Sequence, residues 1–196
     1  MIPRHMQIAF ALLVVGALAM GWYIVRLKHR EEEQAQRAED LRHVAPPVKG
    51  TREQVTLVVA YDEEGVLRRE KVEVVAPEEP AERAREVLRA LLARYLDRPS
   101  PHPLEPGADI IRVYLVGSNL AVVDTTAKFA AGHRSGVLAE SLTVASLLET
   151  LHANLPGVTR LKILVEGQER ETLAGHADLM VVYELAQVRR MVGSLP

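Results

Sequence analysis

The stretch DIIRVYLVGSNLAVVDT, from Asp109 to Thr125, decides the fold because it has the pattern of two β-strands joined by a tight turn. The first predicted strand, Ile110 to Val116, alternates in part, and the second, Leu120 to Thr125, is rich in small and β-branched residues. Gly117-Ser118-Asn119 between them tolerates the unusual backbone angles of a hairpin turn. We therefore expect a β-hairpin. The residues expected on one face of its first strand are Ile111, Val113 and Leu115.

A long helix follows this hairpin. From Ser135 to Leu155 the apolar side chains recur at intervals of three and four, which makes one apolar stripe along a helix. The stripe consists of Val137, Leu138, Ser141, Val144, Ala145, Leu148, Leu151 and Leu155. A ββα unit of this kind cannot bury its own apolar face, so the rest of the chain must complete the core.

A similar ββα pattern precedes the first. Two predicted strands, Gln54 to Tyr61 and Val66 to Val75, flank a turn at Gly65, and a helix with a complete apolar stripe runs from Pro80 to Leu96. After the second helix, Val158 to Val165 predicts a final core strand. The order ββαββαβ therefore predicts an α+β fold, with one mixed β-sheet and two amphipathic helices packed on one face of it.

Composition excludes several classes of function. The 24 basic residues are balanced by 26 acidic ones, so the net charge of −2 gives no electrostatic reason to expect nucleic acid as a partner. The chain has no cysteine, which excludes disulfides, thiolate metal sites and a cysteine nucleophile. Aromatic residues make up only 4% of the chain, which disfavours a stacking surface for bases or sugars.

An uncharged apolar run near the N-terminus predicts a membrane anchor. Residues Ile8 to Val25 would reach about 27 Å as a helix, close to the hydrocarbon thickness of about 30 Å. Trp22 and Tyr23 lie near its end, where aromatic rings favour the membrane interface. The alternative is a cleaved signal peptide, since Ala17-Leu18-Ala19 has the small-x-small pattern of a cleavage site.

The charges beside this run favour a cytoplasmic position for the rest of the chain. Arg4 alone precedes it, whereas several basic residues follow it, and the positive-inside bias keeps the basic side in the cytoplasm. These following residues are Arg26, Lys28, Arg30, Arg37 and Arg42. We divide the chain into an N-terminal membrane anchor (1–27), a charged stalk (28–53), a folded domain (54–185) and a C-terminal tail (186–196).

Seven histidines raise the question of a metal site. They are His5, His29, His43, His102, His133, His152 and His176. None has the spacing of an HExxH motif, and no two are a short ligand spacing apart. A zinc site could arise only if the fold brought His133, His176 and Asp178 together, so we expect no metal and no cofactor. For His176, the alternative is an imidazole that holds its own loop by hydrogen bonds to backbone groups.

Motifs for catalysis are also missing from the sequence. Ser118 and Ser135 lack the GxSxG elbow of a serine hydrolase, and no glycine-rich phosphate loop is present. Asp124 ends a strand, where it could belong to a catalytic carboxylate pair or cap the loop before a helix, and we favour the cap. We therefore expect that the protein is not an enzyme. Its candidate interaction surface is a loop face with Asp124, Thr125, His133, His176 and Asp178.

Several segments resemble the GerMN domain of the sporulation and spore germination family. The resemblance covers Gln54 to Tyr183, and its most specific parts are VDTTAKF (Val123 to Phe129) and TLAGHADL (Thr172 to Leu179). The other matching segments are Val55 to Tyr61, Ala84 to Leu96, Glu105 to Val122 and Leu155 to Glu169. The sequence departs from the family where Thr125-Thr126 replaces a more usual Leu-Ser pair.

The resemblance implies a non-catalytic domain of the bacterial cell envelope, held at the cytoplasmic membrane by a single N-terminal helix and placed on the extracytoplasmic side. This placement opposes the positive-inside argument, and we follow the resemblance. It also implies partners among other envelope proteins or further copies of the chain, in an assembly such as a ring or another oligomer. The alternative is an envelope hydrolase or a small-ligand or metal-binding protein that uses the Asp124/His133/His176/Asp178 loop face.

Overall fold

The computed structural model describes residues 50–193 of the 196-residue chain. The predicted anchor, Ile8 to Val25, and nearly all of the predicted stalk lie outside these described residues. Between residues 50 and 193, no helix has the length and apolar character needed to cross a membrane.

The described residues form six strands and four helices. The strands are β1 (Thr51–Tyr61), β2 (Val66–Ala76), β3 (Ile110–Val116), β4 (Leu120–Thr125), β5 (Arg160–Val165) and β6 (Tyr183–Glu184). The helices are α1 (Pro80–Leu96), α2 (Ala127–Ala131), α3 (Val137–Asn154) and α4 (Leu185–Gly193). Both predicted hairpins are confirmed, because β1 pairs with β2 and β3 pairs with β4 in antiparallel register. Gly65 and Gly117 supply the positive φ angles of their turns, 67° and 62°.

The prediction of one mixed sheet is wrong, because the strands form two sheets. In the described part of the chain, β1 and β2 make a two-stranded sheet, and the other four strands make a second sheet in the order β3-β4-β5-β6. The second sheet is mixed, since β4 and β5 run parallel while its other two pairs are antiparallel. Two helices were also not predicted: α2 follows β4, and α4 lies in the segment expected to be a tail.

Side chains from two helices explain why β1 does not join the second sheet. The amides of Thr56, Val58 and Ala60 point away from β2, along the outer edge of β1. Each donates to a side-chain oxygen instead of to another strand, at 2.8–3.0 Å. The acceptors are Asn154 Oδ1, Thr150 Oγ1 and Tyr95 Oη, in that order. This edge is therefore closed to strand pairing, although an open edge is a usual route to association.

Helix α3 is the centre of the fold. All thirteen residues from Ala139 to Leu151 are buried, so the helix has no solvated face over that length. It packs against β1 and against helices α1 and α4, which surround it. The predicted stripe is only part of this buried surface, because the C-terminal helix α4 covers a further face. The stripe is wrong at its start, where Val137 is 58% exposed.

Candidate functional site

The buried carboxylate of Glu140 holds the TLAGHADL segment (Thr172–Leu179) against the start of α3. Its Oε2 accepts hydrogen bonds from the backbone amides of Ala174, His176 and Ala177 at 2.8–3.1 Å. Its Oε1 accepts from the amide of Gly136 at 3.1 Å, and it lies 3.0 Å from Nδ1 of His176. Glu140 is 0% exposed, so these five donors replace the water that it loses.

These donors determine the charge of Glu140. Burial alone would raise the pKa of this carboxyl group, since it disfavours the ionised form. The amides of Ala177, Gly136 and His176, together with the His176 ring, outweigh burial and lower the pKa to about 2. Glu140 is therefore an ionised carboxylate inside the protein at neutral pH.

His176 takes part in this arrangement in a different way from the one expected. Its imidazole contacts the Glu140 carboxylate, while the backbone of its loop is held by Glu140 and not by the imidazole. Ser135 Oγ lies 3.5 Å from Nδ1 of His176, which is the same nitrogen that faces Glu140. A Ser-His-acid relay needs the serine and the acid on opposite ring nitrogens. These three residues therefore lack the geometry of a catalytic triad.

Lys162 holds the other end of the same segment. Its ammonium donates to the carbonyl oxygens of Leu179 and Met180, at 2.9 and 2.7 Å, and it lies 2.8 Å from the carboxylate of Glu169. Its three N–H groups are thus all used, and the residue is 8% exposed. Asp178 lies nearby on the surface, where its Oδ1 accepts from the amide of Met180 at 2.8 Å.

Asp124 and Thr125 stabilise the end of β4. Asp124 Oδ1 accepts from the amide of Gly167 at 2.7 Å, so it caps the turn after β5 and not helix α2, which corrects the favoured interpretation. Thr125 is 0% exposed, and its hydroxyl donates to the carbonyl oxygen of Leu164 at 2.8 Å. The amide of Ala127, in the first turn of α2, donates to the Glu166 carboxylate instead.

His133 points into the interior, where it meets a second histidine. Its Nε2 lies 2.6 Å from the hydroxyl of Thr143 on α3, and Nε2 of His102 lies 2.7 Å from the same oxygen. Nδ1 of His102 is 2.5 Å from Oδ1 of Asp62. Asp62, His102 and Thr143 thus have the connectivity of a catalytic triad. However, Thr143 is 1% exposed and His133 blocks its oxygen, so no substrate reaches it.

The structure separates the five predicted site residues into distinct hydrogen-bond networks. Asp124 is hydrogen-bonded to the amide of Gly167. His133 contacts the hydroxyl of Thr143, and His176 contacts the carboxylate of Glu140. Between residues 50 and 193, no three histidine or carboxylate side chains lie close enough together to hold a metal ion. Of the five, only His176 and Asp178 are exposed at the surface.

Sequence reasoning missed the residues that organise these loops, namely Glu140, Lys162, His102 and Thr143. Glu140 did carry a signal, because it is a charged residue within an apolar helical stripe, three residues after Val137 and four before Val144. A charge in that position is buried only with partners, which points to nearby donors. His102 carried no comparable signal, since it lies in a proline-rich loop without periodicity.

The outer face of the second sheet exposes an apolar patch. Tyr114 and Val116 on β3 are 44% and 51% exposed, and they pair across the ladder with the half-buried Val122 and Leu120 on β4. Arg112 lies beside them, with its guanidinium 5.8 Å from the Tyr114 ring centroid. We call these five residues the outer patch.

Comparisons with known proteins agree with this architecture. A family model named Germane, described as sporulation and spore germination, matches residues 56–171. No curated protein matches the chain.

Solved structures with a similar fold include domains of a sporulation protein. The first GerMN domain of the sporulation protein GerM from Bacillus subtilis is 16% identical, with a TM-score of 0.50 over 64% of this chain and 92% of that chain. The tandem GerMN domains of the same protein give 14% identity and a TM-score of 0.50, over 65% of this chain and 44% of theirs. A proposed lipoprotein from Clostridium perfringens is 15% identical, with a TM-score of 0.49 over 75% of this chain and 96% of that one.

Proposed function

Because this chain belongs to the Germane family of sporulation and spore germination proteins, we propose that it is a membrane-anchored, non-catalytic interaction module of the cell envelope. Its folded domain binds another envelope protein or a further copy of the chain. The bound surface is the outer patch on the second sheet.

The exposure of the outer patch carries this proposal. Tyr114 and Val116 put large apolar side chains into solvent side by side, and Arg112 adds a cation next to the tyrosine ring. Aromatic residues and arginine are the types that contribute most to binding at protein interfaces. The closed edge of β1 also favours binding through the outer patch. Strand addition at that edge would first have to displace three side-chain hydrogen bonds.

The hydrogen-bond networks support a non-catalytic role. Thr143 is enclosed, and the serine nearest to His176 faces the wrong nitrogen for a relay. Anchoring rests on the apolar run from Ile8 to Val25, which is long enough to span a membrane as a helix. We place the folded domain on the extracytoplasmic side.

A cross-linking experiment on intact cells tests both the surface and the side of the membrane. A membrane-impermeant, amine-reactive cross-linker would act on the exposed lysines Lys71 and Lys128 of the full-length chain. We expect intermolecular products in the wild type. Tyr114→Glu places a charge in the outer patch and should reduce these products more than about tenfold, as loss of an interface hot spot does. Products are identified by mass spectrometry.

Val137→Glu provides the matched control, since Val137 is 58% exposed and does not belong to the outer patch. This variant should retain the products of the wild type. Equal loss in both variants, or no loss in either, would contradict binding through the outer patch. Products that form only after the cells are permeabilised would contradict the extracytoplasmic position.

A further inference from the structure

The hydroxyl of Thr143 is the centre of a buried hydrogen-bond network that the proposed function does not use. Its oxygen lies 2.7 Å from Nε2 of His102 and 2.6 Å from Nε2 of His133. On the far side of the rings, Nδ1 of His102 lies 2.5 Å from Oδ1 of Asp62, and Nδ1 of His133 lies 2.7 Å from the carbonyl oxygen of Arg134. We call these four contacts the histidine network.

Counting protons shows that two neutral imidazoles and an ionised Asp62 cannot make all four contacts. Each contact needs one proton between its two heavy atoms. With both imidazoles neutral and Asp62 ionised, the network carries three protons, one on each ring and one on the Thr143 hydroxyl. One contact at Thr143 would then bring two lone pairs together at 2.7 Å or less. We therefore propose that the histidine network is a buried proton-binding site that holds one proton more than this set and keeps it on an imidazole while Asp62 is a carboxylate.

The surroundings place the additional proton between Asp62 and His102. The carboxylate of Asp62 compensates a positive imidazole there, whereas burial lowers the pKa of His133 and favours its neutral form. His102 then donates from both nitrogens, to Asp62 and to Thr143. The Thr143 hydroxyl then shares its single proton between Nε2 of His133, at 2.6 Å, and the more distant carbonyl oxygen of Ala139, at 3.0 Å.

Other charged and titratable groups around the network do not change the number of protons that its four contacts need. The guanidinium of Arg134 lies 3.6 Å from Oδ2 of Asp62, an oxygen that takes no part in the four contacts. Tyr95 of α1 meets the ring of His102 at 4.7 Å between centroids, and burial raises its pKa, so it stays neutral. Glu140 of α3 is a further anion near His133, and its pKa of about 2 lies far below the range in which histidine titrates.

The network joins separate parts of the chain to α3. Asp62 belongs to the turn between β1 and β2, His102 to the proline-rich loop after α1, and His133 to the loop before α3. Loss of the additional proton at higher pH breaks one contact at Thr143 and loosens these loops. Because the folded chain binds one more proton than the unfolded chain above about pH 6.5, the ratio of folded to unfolded protein should fall about tenfold per pH unit there, until the network releases its proton.

Nitrogen-15 NMR of the full-length chain with labelled histidine tests this count directly. At about pH 8 a solvated imidazole is neutral. We expect one imidazole, that of His102, to keep protons on both nitrogens at this pH. Thr143→Val preserves the shape of the side chain but removes the shared oxygen, so this signal should disappear in the variant. His152→Gln, which removes a histidine outside the network, should leave the signal unchanged.

Either of two results would overturn the proposal. The first is a wild-type spectrum at about pH 8 in which every histidine is neutral, and this result needs no variant to be interpreted. The second is a doubly protonated His102 that persists in a folded Thr143→Val chain.

Discussion

Replacing Glu140 by glutamine should lower the free energy of unfolding by about 3 kcal/mol at neutral pH. A carboxyl group whose pKa falls from its ordinary 4.5 to about 2 on folding contributes this amount, at about 1.4 kcal/mol for each pH unit. Glutamine keeps the size of the side chain but turns an amide group toward donors that need an acceptor. Urea unfolding of both chains at neutral pH measures the difference.

The pH dependence identifies the cause of this loss. Since folding depresses the pKa of Glu140, its contribution is complete above about pH 4.5 and disappears as the pH falls through about 2. The difference between the wild type and Glu140→Gln should therefore shrink across this range. Glu171→Gln is the control, because Glu171 is an exposed acid beside the same segment. A difference that stays constant down to about pH 2 would contradict a role for the Glu140 charge.

Replacing Lys162 by methionine should lower the free energy of unfolding by about 2–3 kcal/mol. Methionine keeps the apolar stem but leaves the carbonyl oxygens of Leu179 and Met180 without their charged donor, and hydrogen bonds to charged groups contribute about 1.5–3 kcal/mol. The loss should be local at first. Hydrogen exchange should become faster in residues 169–182 before it changes in α3, because Lys162 contacts both ends of this segment while Glu140 holds only its middle.

Lys71→Met is the control for this prediction, because Lys71 is exposed on β2 and should tolerate the change within about 0.5 kcal/mol. A Lys162→Met chain as stable as this control would show that the buried ammonium is replaceable by an apolar group, as some buried charges are.

Local sequence patterns predicted the two hairpins, strand β5 and the two long helices, but not helices α2 and α4 or how the elements assemble. The hairpins and helices α1 and α3 were predictable because turn glycines and apolar periodicity act within a few residues. The division into two sheets depends on contacts such as that between Thr56 and Asn154, which are 98 residues apart in the sequence. No local pattern records that Asn154 will occupy the edge of β1.

In strand β3, the alternating pattern predicted only some of the buried residues. Val113 is buried as predicted, but a bulge shifts the register between Ile110 and Arg112, so Ile110 is buried and Ile111 is only half-buried. One inserted residue reverses the inward and outward positions on one side of the bulge relative to those on the other. Alternation therefore located the strand correctly and misplaced one of its faces near the start.

The candidate site was predictable only as a region. TLAGHADL was singled out in the sequence, but its conformation depends on Lys162 and Glu140, whose hydrogen bonds to it span 17 and 36 residues. Histidines drew attention because of their possible chemistry. In the structure, His133 contacts the buried hydroxyl of Thr143, and His176 contacts the buried carboxylate of Glu140. Both are tertiary contacts, which no local sequence pattern predicts.

The most direct test of the interaction module is photo-cross-linking from the outer patch in native membranes. A full-length chain with benzoylphenylalanine in place of Tyr114 should give a cross-linked product of defined mass, either with one envelope protein or with a second copy. The same photo-reactive residue in place of Val137, which is also exposed, should give no such product. An identical pattern from both positions, or no product from position 114, would contradict the claim that this surface binds a partner.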